Sequence, residues 1–142
     1  MMTHRIRGQG LIEMLMILLF IGVSIAAILK FQGYLAYSTQ LAQQQSEANL
    51  LAISQIEQLR NFTVLNTTAG YSAYQDIAPS STTSIVNNTT YTINWTITAF
   101  TNPTYKKINV TVSWTDRYAT AQSVSLSTSA AGIDPSAPGT YM

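Results

Sequence analysis

The chain contains no cysteine, so disulfide bonds and thiolate metal sites are both excluded. A chain without cysteine can function in an oxidising compartment, but this composition does not indicate one. Charged residues make up only 9% of the 142 residues, roughly a third of their share in a soluble domain, and the formal net charge is +1. This charge balance excludes a strongly basic surface, and no nucleic-acid partner is indicated.

The chain contains one long apolar run, Leu11 to Leu29, in which Glu13 is the only charged residue. Its nineteen residues form about 28 Å of helix, enough to cross the hydrocarbon core of a bilayer. The alternatives are a cleaved signal peptide, which has a shorter apolar core, and a buried helix of a soluble protein. A helical pattern continues past Lys30, which favours a retained membrane helix.

Glu13 is the residue that a simple membrane anchor does not explain. A carboxylate in a lipid-facing helix costs on the order of 2.5 to 3.5 kcal/mol at mid-membrane and less near the interface. One interpretation places Glu13 at the membrane edge, where it reaches water. The other is that its carboxylate meets a positively charged partner once the chain leaves the lipid.

The residues before the apolar run form a recognisable pattern. Arg5-Ile6-Arg7-Gly8 is followed by Gln9-Gly10-Leu11-Ile12-Glu13 and then by the apolar helix. A basic leader, a glycine, four residues and a glutamate resemble the N-terminal motif of type IV pilins and pseudopilins. The stretch QQQSEANLLAISQIEQLRNF and the strand region from Lys106 resemble minor pilins of the PilV and GspI types. The Arg-Gly-Gln start is also similar to that of Tad-type pilins.

This resemblance implies how the N-terminus is processed and used. A prepilin peptidase would cut after Gly8, and Gln9 would become the N-methylated mature N-terminus. Most relatives have an aromatic residue where this chain has Gln9. Glu13 would pair with the N-terminal ammonium of a neighbouring subunit inside a filament, where low dielectric strengthens the attraction. The residues expected to carry processing are Gly8 and Gln9, and those expected to carry assembly are Leu11, Ile12, Glu13 and Gly22.

The same resemblance implies the partners and the compartment. The partners would be prepilin peptidase, other pilin subunits, the inner-membrane assembly platform and, before assembly, membrane lipid. Arg5 and Arg7 fit retention of the leader on the cytoplasmic side. We therefore expect a single-pass protein of the bacterial inner membrane with its head outside the cytoplasm, later part of an extracellular pilus or a periplasmic pseudopilus.

Beyond Lys30 the sequence predicts that the helix continues to about Phe62. No proline lies between Leu11 and Phe62, and apolar residues recur at spacings of seven, four, four and three. These residues are Leu41, Ala48, Ala52, Ile56 and Leu59. A coiled-coil stalk is the alternative, although the heptads are irregular. The pilin resemblance implies that this stripe packs against the head.

Three alternating segments follow a Thr-, Ser- and Asn-rich connection over residues 63–90, for which a short strand or turn is the alternative to an irregular loop. Residues 91–99, 108–114 and 124–128 predict half-buried antiparallel strands in a meander of three or four, with a turn over 116–120. Trp95 and Trp114 fall on the apolar sides of their strands, so core packing is expected for both. Tyr71 and Tyr74 are also expected to pack on the head. Lys106 and Lys107 are expected to form a solvated edge that discourages further strand pairing.

These observations predict an α+β fold, in which a long N-terminal helix packs on a small antiparallel sheet. The expected segments are a leader over 1–8, a membrane and filament helix over 9–30, an amphipathic helix half over 31–62, a sheet head over 63–128 and a loose tail over 129–142.

Catalysis is not expected of this chain. The single histidine, His4, lies in the leader, which excludes a histidine-based triad in the mature chain. The carboxylates share no spacing, and no catalytic residues, cofactor or metal site is predicted. The expected function is a minor pilin of a type IV pilus. The alternatives are a type II secretion pseudopilin and, from a different class, a membrane-anchored surface-binding module that never polymerises.

Overall fold

The computed structural model describes residues 7–133, with side chains from Gly10 onward. It contains one helix and four strands, which run in chain order α1 Arg7–Arg60, β1 Ser80–Val86, β2 Thr89–Thr101, β3 Thr104–Thr115 and β4 Ala121–Ala131. The strands form one antiparallel sheet in the order β1-β2-β3-β4. The α+β architecture predicted from the sequence is confirmed.

The chain divides into two compact units, with the boundary after Ala42. We call the described residues 10–42 the stem and residues 43–133 the head. The stem is helical throughout, and the head contains the last part of α1 together with the sheet. The leader residues 1–6 and the tail residues 134–142 lie outside the described residues.

Helix α1 ends slightly earlier than the sequence predicted. Its 54 residues stop at Arg60, where the amide of Asn61 still donates to the carbonyl of Glu57 at 3.0 Å. A cation in the last turn interacts favourably with the negative end of the helix dipole. Phe62 has left the helix and packs edge-on against Tyr74, with ring centroids 5.3 Å apart. At the predicted end of the helix, Phe62 therefore packs against the head and does not continue the helix.

The apolar stripe in the second half of α1 covers one face of the sheet, as predicted. Ala48 and Ala52 are completely buried, and Ile56 is 9% exposed. They belong to the same core cluster as Ile108 and Val110 of β3, both with 0% exposure. Alanine has no side chain beyond Cβ, so the helix backbone can approach the sheet closely at these two positions.

The sheet is a meander whose strands alternate between a core face and an outer face. In β3, Ile108, Val110, Val112 and Trp114 are buried while their neighbours are more exposed. The predicted core placement of Trp114 is confirmed at 4% exposure, and Trp95 is partly buried against the same cluster. Strands β2, β3 and β4 each extend beyond the segment predicted from the alternation of apolar and polar residues.

Strands β1 and β4 complete the sequence-based expectation and correct it. The connection over residues 63–90 contains β1, the short strand that the sequence allowed but could not locate, because its Ser- and Thr-rich sequence carries no clear alternation of apolar residues. Strand β4 continues to Ala131, so the predicted tail residues 129–131 belong to the sheet instead. Ala130, the strand partner of Lys106, is 4% exposed. Small residues therefore concealed the position of β1 and the end of β4.

The tight turns have clear local causes. Asn87 and Asn88 connect β1 to β2 with φ values of 47° and 63°, the left-handed geometry of a type I′ hairpin. The predicted turn over 116–120 is confirmed, since the carboxylate of Asp116 accepts hydrogen bonds from the amides of Tyr118 and Thr120, each at 2.9 Å. Asparagine and aspartate stabilise such turns because their short side chains bond to nearby backbone.

The positions of Lys106 and Lys107 correct the prediction that both form a solvated edge. The two residues lie within β3, which is an interior strand of the sheet. The ammonium of Lys106 donates to the carbonyls of Tyr74, Gln75 and Ile77 at 2.8, 3.1 and 3.0 Å. Burial lowers the pKa of this ammonium. Lys106 therefore holds the loop before β1, whereas Lys107 points to the outer face and is exposed.

That loop is an ordered part of the head. The amide of Tyr74 donates to the carbonyl of Val64 at 2.9 Å, and Val64 forms an isolated bridge with Ala73. Tyr74 is buried, as predicted, and Lys106 lies 4.8 Å from the centre of its ring. The same prediction is wrong for Tyr71, which is 62% exposed. The reason is that the loop turns back at Tyr71, whose amide bonds to the carbonyl of Thr68.

Candidate assembly site

The stem presents an apolar surface on all sides. Every residue from 10 to 36 is exposed, because no other part of the described chain packs on this length of helix. Leu18 and Leu19 are each 65% exposed, and Phe20 is 67% exposed. By length and composition the helix can cross a membrane. An apolar surface of this size is stable only against lipid or against other protein chains.

The predicted assembly residues lie in the first turns of this surface. Leu11 and Ile12 are 65% and 62% exposed, and Glu13 follows them directly. Within the side chains that the structure describes, Glu13 has no hydrogen bond or ion pair. Gly8 and Gln9 fall inside the helical range Arg7–Arg60, but side chains before Gly10 lie outside the described part of the chain.

Gly22 marks a place where another helix can approach closely. A Cβ atom added at Gly22 would meet nothing within 4 Å, so this glycine is not required by packing within the chain. Two positions further on, the hydroxyl of Ser24 donates to the carbonyl of Phe20 at 2.7 Å, which satisfies it inside the helix. Small residues at such points let helix backbones approach in apolar surroundings.

A buried polar network in the head joins α1 to the sheet. Gln44 is 7% exposed, and its amide oxygen accepts a hydrogen bond from the indole N–H of Trp114 at 3.2 Å. Its amide nitrogen donates to the hydroxyl of Thr89 at 3.3 Å. One side chain of the helix therefore bonds to both β2 and β3, which specifies how the helix lies on the sheet.

Glu47 forms the second part of this network, one turn further along the helix. Its carboxylate accepts hydrogen bonds from the hydroxyl of Tyr91 at 2.8 Å and from the side-chain amide of Asn87. Tyr91 is completely buried, and burial together with the neighbouring Glu47 raises the pKa of its hydroxyl. The β1–β2 hairpin is thus attached to α1 through its turn and through its second strand.

The sequence reading missed this network. Gln44 lies four residues before Ala48 and continues the apolar stripe backwards, which is the signal that could have revealed it. The partners Asn87 and Tyr91 lie on another element, and no local pattern links them to Glu47. In the part of the chain that the structure describes, no group of three or more His, Cys, Asp or Glu side chains is placed to hold a metal ion.

The apolar stem with Glu13 is therefore the feature that most directly suggests a function, and the head network shows how the remainder of α1 is held. Comparison with known proteins adds no relative, since no family model, curated protein or solved structure matches this chain. The resemblance to type IV pilins stays a prediction that depends on the motif from Arg5 to Glu13.

Proposed function

We propose that this protein is a minor pilin-like subunit that polymerises through its stem. The observation that carries the proposal is the exposed apolar helix with a single acid, Glu13, five residues after Gly8. A simple anchor needs the apolar residues but has no use for the acid. In a bundle of stems, the acid gains a partner and the apolar surface is buried between chains.

The proposed mechanism begins in the bacterial inner membrane. Prepilin peptidase removes the leader after Gly8, which leaves Gln9 as an N-methylated amino terminus. The stem then leaves the lipid and joins stems that are already assembled, with its apolar residues facing theirs. Gly22 allows close approach, because no side chain projects from the helix there. The assembly platform of the inner membrane supplies the site at which this transfer occurs.

Glu13 selects the correct axial position in this mechanism. Its carboxylate pairs with the positively charged N-terminus of a neighbouring stem, and the apolar surroundings strengthen that attraction. A stem displaced along the bundle leaves the carboxylate buried without a partner, which costs several kcal/mol. The paired register is therefore favoured over all others, and the head is carried to a defined height on the filament.

Replacing Glu13 with Gln tests this proposal in cells that carry the assembly machinery. Glu13→Gln keeps the size of the side chain and removes its charge, so the protein should remain in the membrane and disappear from filaments sheared off the cell. Glu57→Gln is the matched control, since Glu57 is an exposed carboxylate near the end of α1, in the head. It should enter filaments normally. Quantitative blotting of the membrane and sheared fractions measures both.

Equal incorporation of both variants would contradict the proposed role of Glu13. If the unmodified protein never enters a filament, it is a membrane-anchored binding module instead. A filament confined to the periplasm would identify a type II secretion pseudopilin, which shares the same physical mechanism. The mass of the mature N-terminus tests processing separately, because a methylated chain that starts at Gln9 is expected and an intact Met1 would refute it.

A further inference from the structure

The outer face of the sheet has an unusual composition. We define it as the alternate positions 92–100 of β2, 105–113 of β3 and 123–129 of β4, which are paired across the strands and lie opposite the core. Nine of these positions carry hydroxyl groups, two carry side-chain amides and two carry the aromatic rings of Phe100 and Tyr105. The remaining position is Lys107, the only charge. This face therefore offers many hydrogen-bonding groups and almost no net charge.

The two aromatic rings form a small apolar platform at one end of the outer face, built from two rings packed face to face. Phe100 and Tyr105 are cross-strand partners whose rings are stacked, with centroids 4.5 Å apart and planes only 8° from parallel. Phe100 is 40% exposed. Lys107 lies in the adjacent row, paired with Thr98 and Ser129, and is exposed. A cation and an apolar platform are thus two residues apart along β3.

Several polar groups beside this platform have no protein partner. In the described part of the chain, the side chains of Thr96, Asn109 and Ser127 make no hydrogen bond, although they form one continuous row across three strands. Further along the face, the hydroxyls of Thr111 and Ser125 bond to each other at 2.7 Å. Hydroxyl and amide groups both donate and accept hydrogen bonds, so the free row suits a ligand with many hydroxyls.

This combination excludes several classes of partner. Binding to a nucleic acid depends mainly on neutralising several phosphates with Lys or Arg side chains, and the outer face has one cation. A protein with an apolar docking surface would find only the Phe100–Tyr105 pair on these three strands and, on β1, the exposed Ile85 at the opposite end of the sheet. A sugar ring has an apolar side that stacks on an aromatic face, hydroxyls that need donors and acceptors, and in uronic acids a carboxylate that pairs with a cation.

We propose that the outer face binds an acidic polysaccharide. The apolar side of a uronic-acid ring packs against the Phe100–Tyr105 stack, its carboxylate pairs with Lys107, and the following sugar units bond to the row of Thr96, Asn109 and Ser127. This inference does not rest on the proposed function, since a polymerised subunit and a simple membrane-anchored protein would present the same face. It assigns the head a ligand class and the molecule a second activity.

The test measures binding of the full chain, in detergent micelles, to an immobilised polyuronate by biolayer interferometry. The matched ligand is the same polysaccharide with its carboxyl groups reduced to alcohols. The polyuronate should bind saturably, and the reduced form about threefold to tenfold more weakly. Lys107→Gln should lower polyuronate binding to the level of the reduced form, whereas Arg60→Gln, which removes an exposed cation elsewhere in the head, should not change it.

Phe100→Ala tests the aromatic platform and should weaken binding of both polysaccharides about tenfold. Tyr71→Ala is its control, because Tyr71 is an even more exposed aromatic residue and lies outside the sheet. The proposal is overturned if neither polysaccharide binds above protein-free micelles, or if Arg60→Gln and Tyr71→Ala weaken binding as much as the outer-face variants. Should Phe100→Ala fail to fold, the comparison of Lys107→Gln with Arg60→Gln decides the question alone.

Discussion

The stem and the head are built from the same low-charge chain, yet they bury apolar surface in different ways. In the stem, residues 10–36 are all exposed, including large side chains such as Leu18 and Phe20. In the head, Tyr91, Ile108, Val110 and Val112 are completely buried. The head is therefore stabilised by contacts within the chain, whereas the stem requires lipid or other chains. An apolar run without an internal partner indicates an intermolecular role.

Core truncation should give the largest difference between the two units. Ile108→Ala removes a completely buried side chain and should lower the head's free energy of unfolding by about 2–5 kcal/mol. Leu18→Ala removes an exposed stem side chain and should leave the head unchanged. Both tryptophans, Trp95 and Trp114, lie in the head, so urea unfolding in micelles followed by tryptophan fluorescence reports on the head alone. Equal effects of the two substitutions would show that stem and head unfold as one cooperative unit.

Loss of the half-buried ammonium should have the next largest effect. Lys106→Met keeps the length of the side chain but removes the donor from the carbonyls of Gln75 and Ile77, which should destabilise the head by about 1–3 kcal/mol. Lys107→Met on the outer face should change the same free energy by less than about 0.5 kcal/mol. Urea unfolding of the two variants provides the comparison. Equal losses would mean that charge, and not the three hydrogen bonds, explains the effect.

The buried tyrosine predicts how the head responds to alkaline pH. The pKa of Tyr91 is raised by burial and by Glu47, so the unfolded chain loses this proton at lower pH than the folded chain. Stability from this group is complete below pH about 10 and falls as the pH rises further, by at most about 1.4 kcal/mol per pH unit.

Unfolding titrations at pH 8, 10 and 11 measure this slope. Tyr91→Phe should be less stable than the unmodified head at pH 8, because the hydrogen bond to Glu47 is lost, and should show a shallower decline above pH 10. Tyr71→Phe, at an exposed position, should retain the full slope. An unchanged slope in Tyr91→Phe would assign the alkaline sensitivity to another group.

The smallest expected effect is a gain in stability at the β1–β2 turn. Asn88 has a φ of 63°, a conformation that glycine adopts without a steric penalty. Asn-Gly is a favoured pair in type I′ turns, so Asn88→Gly should stabilise the head by about a few tenths of a kcal/mol, because the relief of left-handed strain exceeds the added entropy of the unfolded chain. Asn94→Gly, within β2, should destabilise it by a similar amount. A loss of stability in Asn88→Gly would show that the side chain of Asn88 contributes more than its backbone strain costs.

Most of the architecture could be predicted because it depends on patterns within single elements. The absence of proline and the stripe through Ala48 and Ala52 indicated the long helix, and the alternation from Ile108 to Trp114 indicated the central strand. Strand β1 could be allowed for but not located, and the end of β4 was missed, because serine, threonine and alanine do not mark a buried face. Their strand character comes from pairing with neighbouring strands, which a local pattern does not record.

In the stem, too, some features follow from the sequence and others only from the tertiary structure. Its apolar length, the position of Glu13 and the spacing from Gly8 follow from the order of residues alone, because a helix with such a surface has few stable environments. Only the tertiary structure showed that Gly22 has open space around it and that every described stem residue up to position 36 is exposed.

The sequence by itself determined the apolar helix, its single acid and the alternating strands, since each arises from residues close together in the chain. The tertiary structure decided the partners that connect distant residues. It placed Glu47 against Tyr91, Gln44 against Trp114, and Lys106 under three carbonyls of the loop before β1. It also brought Phe100, Tyr105 and Lys107 to one face. The physical reason is that buried polar groups and shared surfaces depend on how the elements pack, and local periodicity records only which side of each element is apolar.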